Sequence, residues 1–379
     1  MSPTLVTRLL PQSMRHGLRR LQTRYRHQYG DVGRLWLKTG LHWSVDDVSL
    51  AGDSLEISGW AYVPPENRER VGFTWNDRSF EHVEYGLPRP DLADAMPFIE
   101  GIANTAFRCQ ARLPAGRGPA ADHLTFRCID RETGRPLTNP NHPYCFQPPA
   151  AGDVIPEPTR RVRVMWYAAE ASFRISGYTI YNQLRRALTH TVGRDITHFE
   201  HVLDWGCGCG RVSRYFRPPA AFSGADVDPD NVQWCQEHLA YGRYLTIPLY
   251  PPTAVPDATF DMIFGISVMT HLREATQMQW LAELHRIARP GAIVMLTFHG
   301  DASACLHQPE RRVWRHLERT GFVDTSNTVY DAALDEKDYY RNILQTTDHV
   351  RRHWSRSFQV LDILPCYIFH QDMAILRKA

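Results

Sequence analysis

The C-terminal part of the chain alternates short apolar runs with segments of helical periodicity. The runs at 260–266 and 292–298 are apolar except for Asp261 and Thr297, and the segment at 274–288 between them repeats apolar residues at helical spacing. Continuous apolar runs of this length are typical of central strands that are covered on both faces. From about Arg161 onward the pattern therefore predicts an α/β fold with a doubly wound, parallel sheet.

The other elements of this part follow the same alternation. Asp228 and Pro229 supply an N-cap acceptor and a proline at the first helical position, which predicts a helix over about 231–239. We expect the remaining elements to be a helix near 177–191, a strand at 201–205, a helix beginning near Arg211, a strand at 222–227, and two final strands at 358–364 and 367–376.

The first part of the chain, at about 43–145, has a different pattern. Short stretches that alternate polar and apolar residues are separated by turn-forming residues, which is typical of antiparallel strands in a small sandwich. In the stretch at 54–63 one face carries Leu55, Ile57, Gly59 and Ala61. The glycine on this apolar face predicts a bulge or a close approach of another backbone.

A proline-rich stretch, NPNHPYCFQPPAAGDVIPEPTRR, separates the two patterns. Proline can neither continue a helix nor sit in a central strand, so this stretch is the best candidate for a linker. A chain of 379 residues also exceeds one ordinary hydrophobic core. We therefore expect a basic amphipathic helical leader at 1–40, a β-sandwich accessory domain at 41–147, a linker at 148–162 and the α/β domain at 163–379.

Composition excludes several classes of protein. No stretch approaches the roughly 20 consecutive apolar residues of a membrane-spanning helix, so an integral membrane protein is excluded. The first residues lack the apolar segment and cleavage site of a secretory signal, so we expect a cytoplasmic protein. The eight cysteines have no paired CxxC spacing, and we expect them to be free thiols.

The charge is unevenly distributed. Residues 1–40 hold seven arginines and one lysine against the single acid Asp31, whereas the whole chain has a net charge of only +2. A basic amphipathic helix of this kind contacts a membrane surface, or docks on a partner or on the protein's own body, and these alternatives remain open. Beyond the leader no basic cluster is interleaved with aromatic residues, so nucleic-acid binding is not expected.

The most informative segment is VLDWGCGCGRVSRYF at 202–216, where a strand ends in Asp204 and a glycine-rich turn follows. Glycine exposes bare backbone and permits positive φ, so we expect a bound molecule there. The glycines run GxGxG and are followed by Arg211, which disfavours the GxGxxG fingerprint of dinucleotides. Asp226, twenty residues past Gly206, closes the next strand, and a carboxylate at that place accepts the two hydroxyls of a ribose. The combination indicates a nucleoside.

Several motifs in the same order carry a family resemblance. VLDWGCGCGR, the GAD that ends the second strand, FDMIFGISVMTHL, LHRIARPG and HQDMAILRK together resemble a class I S-adenosylmethionine-dependent methyltransferase. The resemblance covers about 165–378. It implies a Rossmann-like sheet of seven strands with an antiparallel last strand, and S-adenosylmethionine as the cofactor.

The resemblance also implies which residues bind the cofactor. The turn would line the methionine part, Asp226 would hold the ribose hydroxyls, Val227 would pack against adenine, and the end of the fourth strand would face the sulfonium. The residues assigned are Asp204, Trp205, Gly206, Cys207, Gly208, Gly210, Asp226, Val227, Gly265, Ile266 and Ser267. The adenine-facing residue after the third strand is left unassigned, because the segment at 240–252 is unusually rich in proline.

The transfer itself needs mainly alignment of the acceptor behind the methyl group. Acidic acceptors need no base, whereas a hydroxyl gains from a general base, most often histidine. His271 and His299 follow the fourth and fifth strands and are the candidate bases, and the alternative is that they only hydrogen-bond neighbouring loops. No metal site is expected, because Cys207 and Cys209 have no partnered ligand pair nearby.

The first part of the chain carries a looser resemblance. SLEISGWAYVPPE, RPDLADAMP and NTAFRCQARL are similar to a β-sandwich module beside bacterial glycosyltransferase and methyltransferase domains of polysaccharide assembly. That neighbourhood implies a glycan acceptor, on which Trp60, Tyr62 and Trp75 would stack, unless these side chains are ordinary packing. Likewise Tyr339, Tyr340 and Trp354 either cap the acceptor pocket or only pack.

From these observations we expect a methyltransferase that O-methylates a sugar hydroxyl of a surface glycan or glycosylated metabolite. Two alternatives stay open. The first keeps the cofactor but moves the methyl group to an amine, or to a peptide or lipid-linked acceptor. The second is a carbohydrate-binding or scaffold protein on a methyltransferase fold that has lost turnover.

Overall fold

A computed structural model describes residues 42–96, 99–114, 123–138, 143–150, 152–165, 167–218, 220–307, 311–327 and 336–379. The predicted leader at 1–40 lies outside the described residues. The chain divides into two compact units between Thr179 and Ile180. The four-part division expected from the sequence stays a prediction. In the described residues no helix is long and apolar enough to span a bilayer.

The first unit contains two four-stranded antiparallel sheets, with strand orders β1-β2-β6-β5 and β4-β3-β7-β8. Both sheets contribute to one buried cluster, in which the rings of Phe73 and Phe107 lie 4.2 Å apart between centroids. The strands are β1 (Trp43–Ala51), β2 (Ser54–Ala61), β3 (Val71–Trp75), β4 (Arg78–Ser79), β5 (His82–Pro88), β6 (Asn104–Arg112), β7 (Leu124–Asp130) and β8 (Tyr144–Phe146). The helices that follow or interrupt them are α1 (Pro90–Ala95), α2 (Pro158–Met165) and α3 (Glu170–Val192), the last of which crosses the division between the units.

Two of the three aromatic residues offered as sugar platforms are buried. Trp75 is 5% exposed and belongs to the core cluster, and Tyr62 is 6% exposed. Only Trp60 keeps part of its surface accessible. The hypothesis that Trp75 and Tyr62 stack on a sugar is therefore wrong, because a buried ring offers no free face to a ligand.

The close approach predicted at Gly59 is confirmed. A Cβ atom added to this residue would overlap the carbonyl oxygen of Ser44 on the neighbouring strand. The register of β1 against β2 shifts between Val45 and Asp47, beside this point. The backbones of β1 and β2 can therefore meet here only because the residue has no side chain.

We expect Gly59→Ala to lower the free energy of unfolding of the first unit by about 1–3 kcal/mol, the usual range for overpacking a filled site. Ser58→Ala, one position along the same strand, is the matched control and should stay within about 0.5 kcal/mol of the unchanged protein. Urea denaturation followed by tryptophan fluorescence measures both. Equal midpoints for the two variants would contradict the close approach.

The second unit is built on a mixed sheet of seven strands in the order β11-β10-β9-β12-β13-β17-β16. Strands β9 to β13 pair in parallel, whereas β17 is antiparallel to both β13 and β16. The predicted α/β fold with a Rossmann-like sheet is confirmed. The strands are β9 (His201–Trp205), β10 (Ala221–Asp226), β11 (Arg243–Thr246), β12 (Phe260–Gly265), β13 (Ala288–Phe298), β16 (Gln359–Ile368) and β17 (Gln371–Arg377), with a separate pair of strands, β14 (Phe322–Ser326) and β15 (Arg341–Gln345).

Helices connect β10 to β11 and β12 to β13, as the periodicity predicts. The Asp228 side chain caps the helix after β10 by accepting from the backbone amides of Asp230 and Asn231 at 3.0 and 3.4 Å. The helices of this unit are α4 (Pro229–His238), α5 (Glu274–Ile287), α6 (Asp301–His307), α7 (Arg311–Thr320) and α8 (Thr347–Trp354).

The prediction of a helix that begins near Arg211 is wrong. The chain makes only a short 3-10 turn at Ser213–Tyr215, and Phe216 is already extended. Pro218 disfavours helical conformation at the residue before it, and β10 begins at Ala221, so too few residues remain for a regular helix.

The predicted break between the last two strands is also misplaced. Strand β16 runs through Pro365 and turns only at 369–370, with an irregular register between Leu364 and Ile368. A proline is tolerated here because β16 is an edge strand. As a result His370 lies in the turn and Gln371 begins β17.

The C-terminal aromatic residues pack. Trp354 is fully buried, Tyr339 is buried in the same core cluster, and Tyr340 is half-buried against that cluster. The seven cysteines whose side chains are described are buried free thiols. The packing alternative is therefore confirmed for Trp354 and Tyr339. For Tyr340, whose ring centroid lies 5.1 Å from that of His271, both alternatives stay predictions. The thiols follow the expectation.

Candidate functional site

The glycine-rich turn after β9 has the backbone conformation that the residue type predicts. Gly206, Gly208 and Gly210 have φ values of 79°, 53° and 74°, in the left-handed region that side chains disfavour. The amides of Gly206 and Cys207 both donate to the carbonyl oxygen of Ala225, at 2.7 and 3.1 Å. The turn is thereby bound to β10, the next strand of the sheet.

Two of these glycines face protein. A Cβ atom added to Gly206 would overlap Val268, and one added to Gly210 would overlap Leu239. The expectation that every glycine in the turn bares its backbone to a ligand therefore needs correction. At these two positions the missing side chain admits close packing of the chain's own neighbours, as the last glycine of a dinucleotide turn does.

Asp226 lies against the turn, as its spacing predicts. Its Oδ2 accepts from the amide of Gly208 at 2.7 Å, and its Oδ1 accepts from the amide of Asp228 at 2.9 Å. The residue is 9% exposed. The structure thus brings together the turn and the carboxylate that the sequence paired.

Asp204 closes β9 and is buried. Its Oδ2 accepts from the hydroxyl of Ser213 at 2.6 Å. Burial raises the pKa of the Asp204 carboxyl to about 7, and the nearby Asp226 carboxylate acts in the same direction. The side chain therefore holds its proton over a pH range in which an exposed aspartate is charged.

We expect Asp204→Asn to stabilise the protein increasingly as the pH rises. The folded chain binds this proton more tightly than the unfolded chain, whose aspartate has a pKa of roughly 4. The unchanged protein therefore loses stability as the pH rises from about 4 to about 7. The asparagine of the variant cannot titrate. At pH 8 its melting temperature should exceed that of the unchanged protein by about 2–4 °C for each pH unit that separates the folded from the unfolded pKa of Asp204.

Differential scanning calorimetry between pH 4 and pH 8 measures this difference. Asp53→Asn, at an exposed aspartate, is the control and should leave the melting temperature unchanged at each pH. A constant gap between Asp204→Asn and the unchanged protein across the range would contradict the raised pKa of Asp204.

The surface beside Asp226 is apolar. Val227 and Leu249 are partly buried against the core cluster that contains Ile247, and the amide of Ile247 donates to the carbonyl oxygen of Asp226 at 2.9 Å. The indole of Trp280 donates to the carbonyl oxygen of Leu249 at 3.2 Å. Ile247 and Leu249 thus occupy the place after the third strand that the sequence left unassigned. In the sequence, the two apolar residues on either side of Pro248 were the feature that could have indicated this place.

The end of β12 forms the other side of the site. A Cβ atom on Gly265 would lie 2.8 Å from the ring of Trp205, so the end of this strand packs closely against the end of β9. Ser267 has a φ of 62°, and its amide donates to the hydroxyl of Thr297 at 2.8 Å. Gln371 Nε2 donates to the Ser267 hydroxyl, also at 2.8 Å. The sequence did not indicate Gln371, because it reaches the site from the misplaced final turn.

The side chains of Trp205, Cys207 and Ile266 are buried. Any contact of Trp205 and Cys207 with a ligand over the turn would therefore come from their backbone atoms. Among the assigned positions, Val227 and Ser267 are only partly buried, and the assignment of all of them to the cofactor stays a prediction.

His271 and His299 lie side by side, with ring centroids 6.3 Å apart. His271 Nδ1 is 2.8 Å from the carbonyl oxygen of Arg341, and His299 Nδ1 is 3.2 Å from that of Ile343. A carbonyl oxygen only accepts, so each Nδ1 carries the proton and each Nε2 is left as an acceptor. The hydrogen-bond acceptors of both rings belong to strand β15 rather than to a loop, and the role of either histidine as a base stays a prediction.

Burial lowers the pKa of His271 to about 4, and the pKa of His299 is lowered well below its usual value by burial and by nearby histidines. Both rings are therefore neutral near pH 7. His307 and His370, which sequence analysis did not select, lie next to His299 at centroid distances of 5.2 and 5.5 Å.

Comparison with known families identifies the domain. Residues 202–291 match the family model described as "Methyltransferase domain". This range holds the glycine turn, Asp226 and the end of β12. The second unit therefore contains a class I S-adenosylmethionine-dependent methyltransferase domain, whose cofactor is S-adenosylmethionine.

Curated relatives include malonyl-(acyl-carrier protein) O-methyltransferases. The chain is 30% identical over 200 residues to that of Salmonella typhimurium, which covers 50% of this chain and 66% of the relative. It is 31% identical over 126 residues to that of Pseudescherichia vulneris, which covers 32% of this chain and 48% of the relative. The chain thus spans less than two thirds of the length of these relatives.

Solved structures also align with part of the chain. The 1,6-didemethyltoxoflavin-N1-methyltransferase of Burkholderia thailandensis has a TM-score of 0.39 and 16% identity, and the alignment covers 62% of this chain and 96% of that one. An S-adenosylmethionine-dependent methyltransferase of Mesorhizobium loti has a TM-score of 0.38 and 12% identity, with coverage of 51% and 96%.

The residues present fit the cofactor. Asp226 is a buried carboxylate that lies beside the turn, and the apolar Val227 and Leu249 adjoin it. A ribose with two hydroxyl donors and an adenine ring is complementary to such a set. The residue types at the site therefore fit the cofactor, and their individual roles in binding it stay predictions.

Proposed function

We propose that the protein transfers the methyl group of S-adenosylmethionine to an oxygen atom, and that the acceptor is a hydroxyl group. The observation that carries the proposal is the carboxylate of Asp226, which the amide of Gly208 holds against the glycine turn at 2.7 Å. This contact prepares a nucleoside site at the carboxyl edge of the parallel strands, where open α/β sheets bind their ligands.

Different assigned residues bind different parts of the cofactor. Asp226 accepts the ribose hydroxyls, and Val227 with Ile247 and Leu249 covers the adenine. The backbone of the turn, together with Asp204, lines the methionine part, as the sequence resemblance implies. Ser267, whose hydroxyl accepts a hydrogen bond from the side-chain amide of Gln371, faces the methyl-bearing end of the cofactor.

S-adenosylmethionine supplies an electrophilic methyl group when bound. The protein's part is to align the acceptor oxygen in line with that group and to remove the proton of the hydroxyl. His271 is the favoured base, because its Nδ1 hydrogen bond to Arg341 leaves Nε2 unprotonated and because the ring is only half-buried. His299 has the same arrangement but is 7% exposed.

The kind of hydroxyl group is inferred from the first part of the chain. A sugar hydroxyl is what the resemblance of the first part of the chain implies, and the burial of Trp75 and Tyr62 removes two of its three supporting side chains. A second candidate acceptor is a carboxylate, favoured by the printed names of the curated relatives, which are malonyl-(acyl-carrier protein) O-methyltransferases. A carboxylate needs no base, so the two acceptors make different demands on His271.

We expect Asp226→Asn to weaken the binding of S-adenosylhomocysteine about 10-fold to 100-fold, because a hydrogen bond to a charged group contributes about 1.5–3 kcal/mol. Isothermal titration calorimetry measures the affinity. Asp230→Asn, an exposed aspartate in the first turn of α4, is the control and should bind as the unchanged protein does. Absence of binding by the unchanged protein would refute the proposal and favour the scaffold alternative.

We expect His271→Gln to lower kcat for a hydroxyl acceptor about 10²-fold to 10⁴-fold while leaving S-adenosylhomocysteine binding intact, because only proton removal is lost. His316→Gln, an exposed histidine on α7, is the control. The acceptor is found by offering methyl-labelled cofactor to pools of polysaccharide, glycolipid, acyl-carrier-bound dicarboxylate and amine. Labelling confined to amines would refute oxygen transfer, and unchanged turnover of a carboxylate by His271→Gln would select the second candidate.

A further inference from the structure

Three histidines from distant parts of the second unit meet at one edge of its sheet. His299 directly follows β13, His307 is the last residue of α6, and His370 lies in the turn between β16 and β17. Because β17 is antiparallel to β13, the start of β17 lies at the end of β13, and Phe298 pairs with Asp372. The cluster is therefore at the carboxyl edge of the parallel strands, the edge that also carries the candidate cofactor site.

The three side chains have the spacing of a ligand set. One ring nitrogen of each lies within 4.8 Å of a ring nitrogen of the other two. The centroids of His307 and His370 are 5.9 Å apart, and those of His299 lie 5.2 and 5.5 Å from them. Among the described residues, the ring nitrogens of His307 and His370 make no hydrogen bond that a metal ion would have to displace.

The set suits a particular kind of ion. Imidazole is a preferred ligand of zinc and of neighbouring transition metals, and three histidines leave the fourth tetrahedral position open. With Zn–N bonds of about 2.0–2.1 Å, tetrahedral ligand nitrogens lie roughly 3.3 Å apart, so the rings need to close by at most about 1.5 Å. His307 is exposed at a helix end, where its side chain can make this adjustment.

His299 also has the outer contact that metal-bound histidines have. Its Nδ1 donates to the carbonyl oxygen of Ile343 at 3.2 Å, which fixes the tautomer and leaves Nε2 as the ligand atom. The carbonyl oxygen of His370 accepts from the hydroxyl of Ser303 at 2.7 Å, and this hydrogen bond anchors the turn. Two of the three proposed ligands are thus held in place before any ion binds.

We propose that His299, His307 and His370 bind one divalent transition metal ion, Zn²⁺ by preference, and that its fourth position takes an oxygen ligand. That this oxygen belongs to the methyl acceptor rests on the proposed function. Gln371, next to His370, donates to Ser267 at the reacting end of the candidate cofactor site, and His271 lies beside His299. On this assignment His299 holds the metal ion, and His271 alone accepts the proton.

A second group of possible ligands provides the control. Glu274 Oε1 lies 3.4 Å from a ring nitrogen of each of His349 and His353, so in this group a carboxylate already partners both rings. The group belongs to helices α5 and α8. His353→Ala removes one of its ligands and touches none of the three proposed here.

The test uses the full chain, freed of metal with a chelator and titrated with Co²⁺, which absorbs visible light strongly when four-coordinate. We expect saturation of this absorption at one equivalent, loss of it in His307→Ala and in His370→Ala, and retention in His353→Ala. No absorption in the unchanged protein, its persistence in both His307→Ala and His370→Ala, or its loss in His353→Ala would overturn the proposal. Melting temperatures close to that of the unchanged protein establish that each variant is folded.

Acetate, added to the Co²⁺-loaded protein, probes the open position. A shift of the visible bands is expected, and unchanged bands would overturn the open fourth position. S-adenosylhomocysteine binding, measured on the same samples, keeps this proposal distinct from the proposed function. Cobalt binding without S-adenosylhomocysteine binding would refute the methyltransferase proposal alone, and the converse would refute the metal site alone.

Discussion

The hydrogen bond from the Gly208 amide to the Asp226 carboxylate is the contact on which the rest of the candidate site depends. It links a turn with positive φ to the end of the neighbouring strand, and the second oxygen of the same carboxylate accepts from Asp228, whose side chain begins α4. One buried acid thereby sets the relative positions of a turn, a strand and a helix. Because burying a carboxylate without partners is costly, this arrangement also resists rearrangement.

The sheet order determines which distant residues reach this edge. The parallel strands place Asp226 and Ser267 at their carboxyl ends, and the antiparallel β17 returns the C-terminal tail to the same edge. Gln371 and His370 arrive by this route. A site at a sheet edge can therefore be completed by a segment that begins a strand as well as by segments that end one, since antiparallel pairing reverses the direction of the chain.

Local patterns predicted the elements well where one interaction decided them. The cap at Asp228 and the strand at His201–Trp205 were foreseen at or within two residues of their observed bounds. The helix expected near Arg211 failed, because Pro218 and the early start of β10 leave no room for it. The last turn was misplaced, because a proline that interrupts a central strand is tolerated on an edge strand, and edge position is a property of the whole sheet.

The sequence by itself determined the features that depend on neighbouring residues: the glycine turn, its paired acid one strand later, and the alternation that places Leu55 and Ile57 inside. Only the tertiary structure decided which side chains share a space, as with the burial of Trp75 and the meeting of His299 with His370, 71 positions further on. The physical reason is range. Backbone preference and periodicity act over a few residues, whereas contact between distant segments follows from the strand order, which no local pattern encodes.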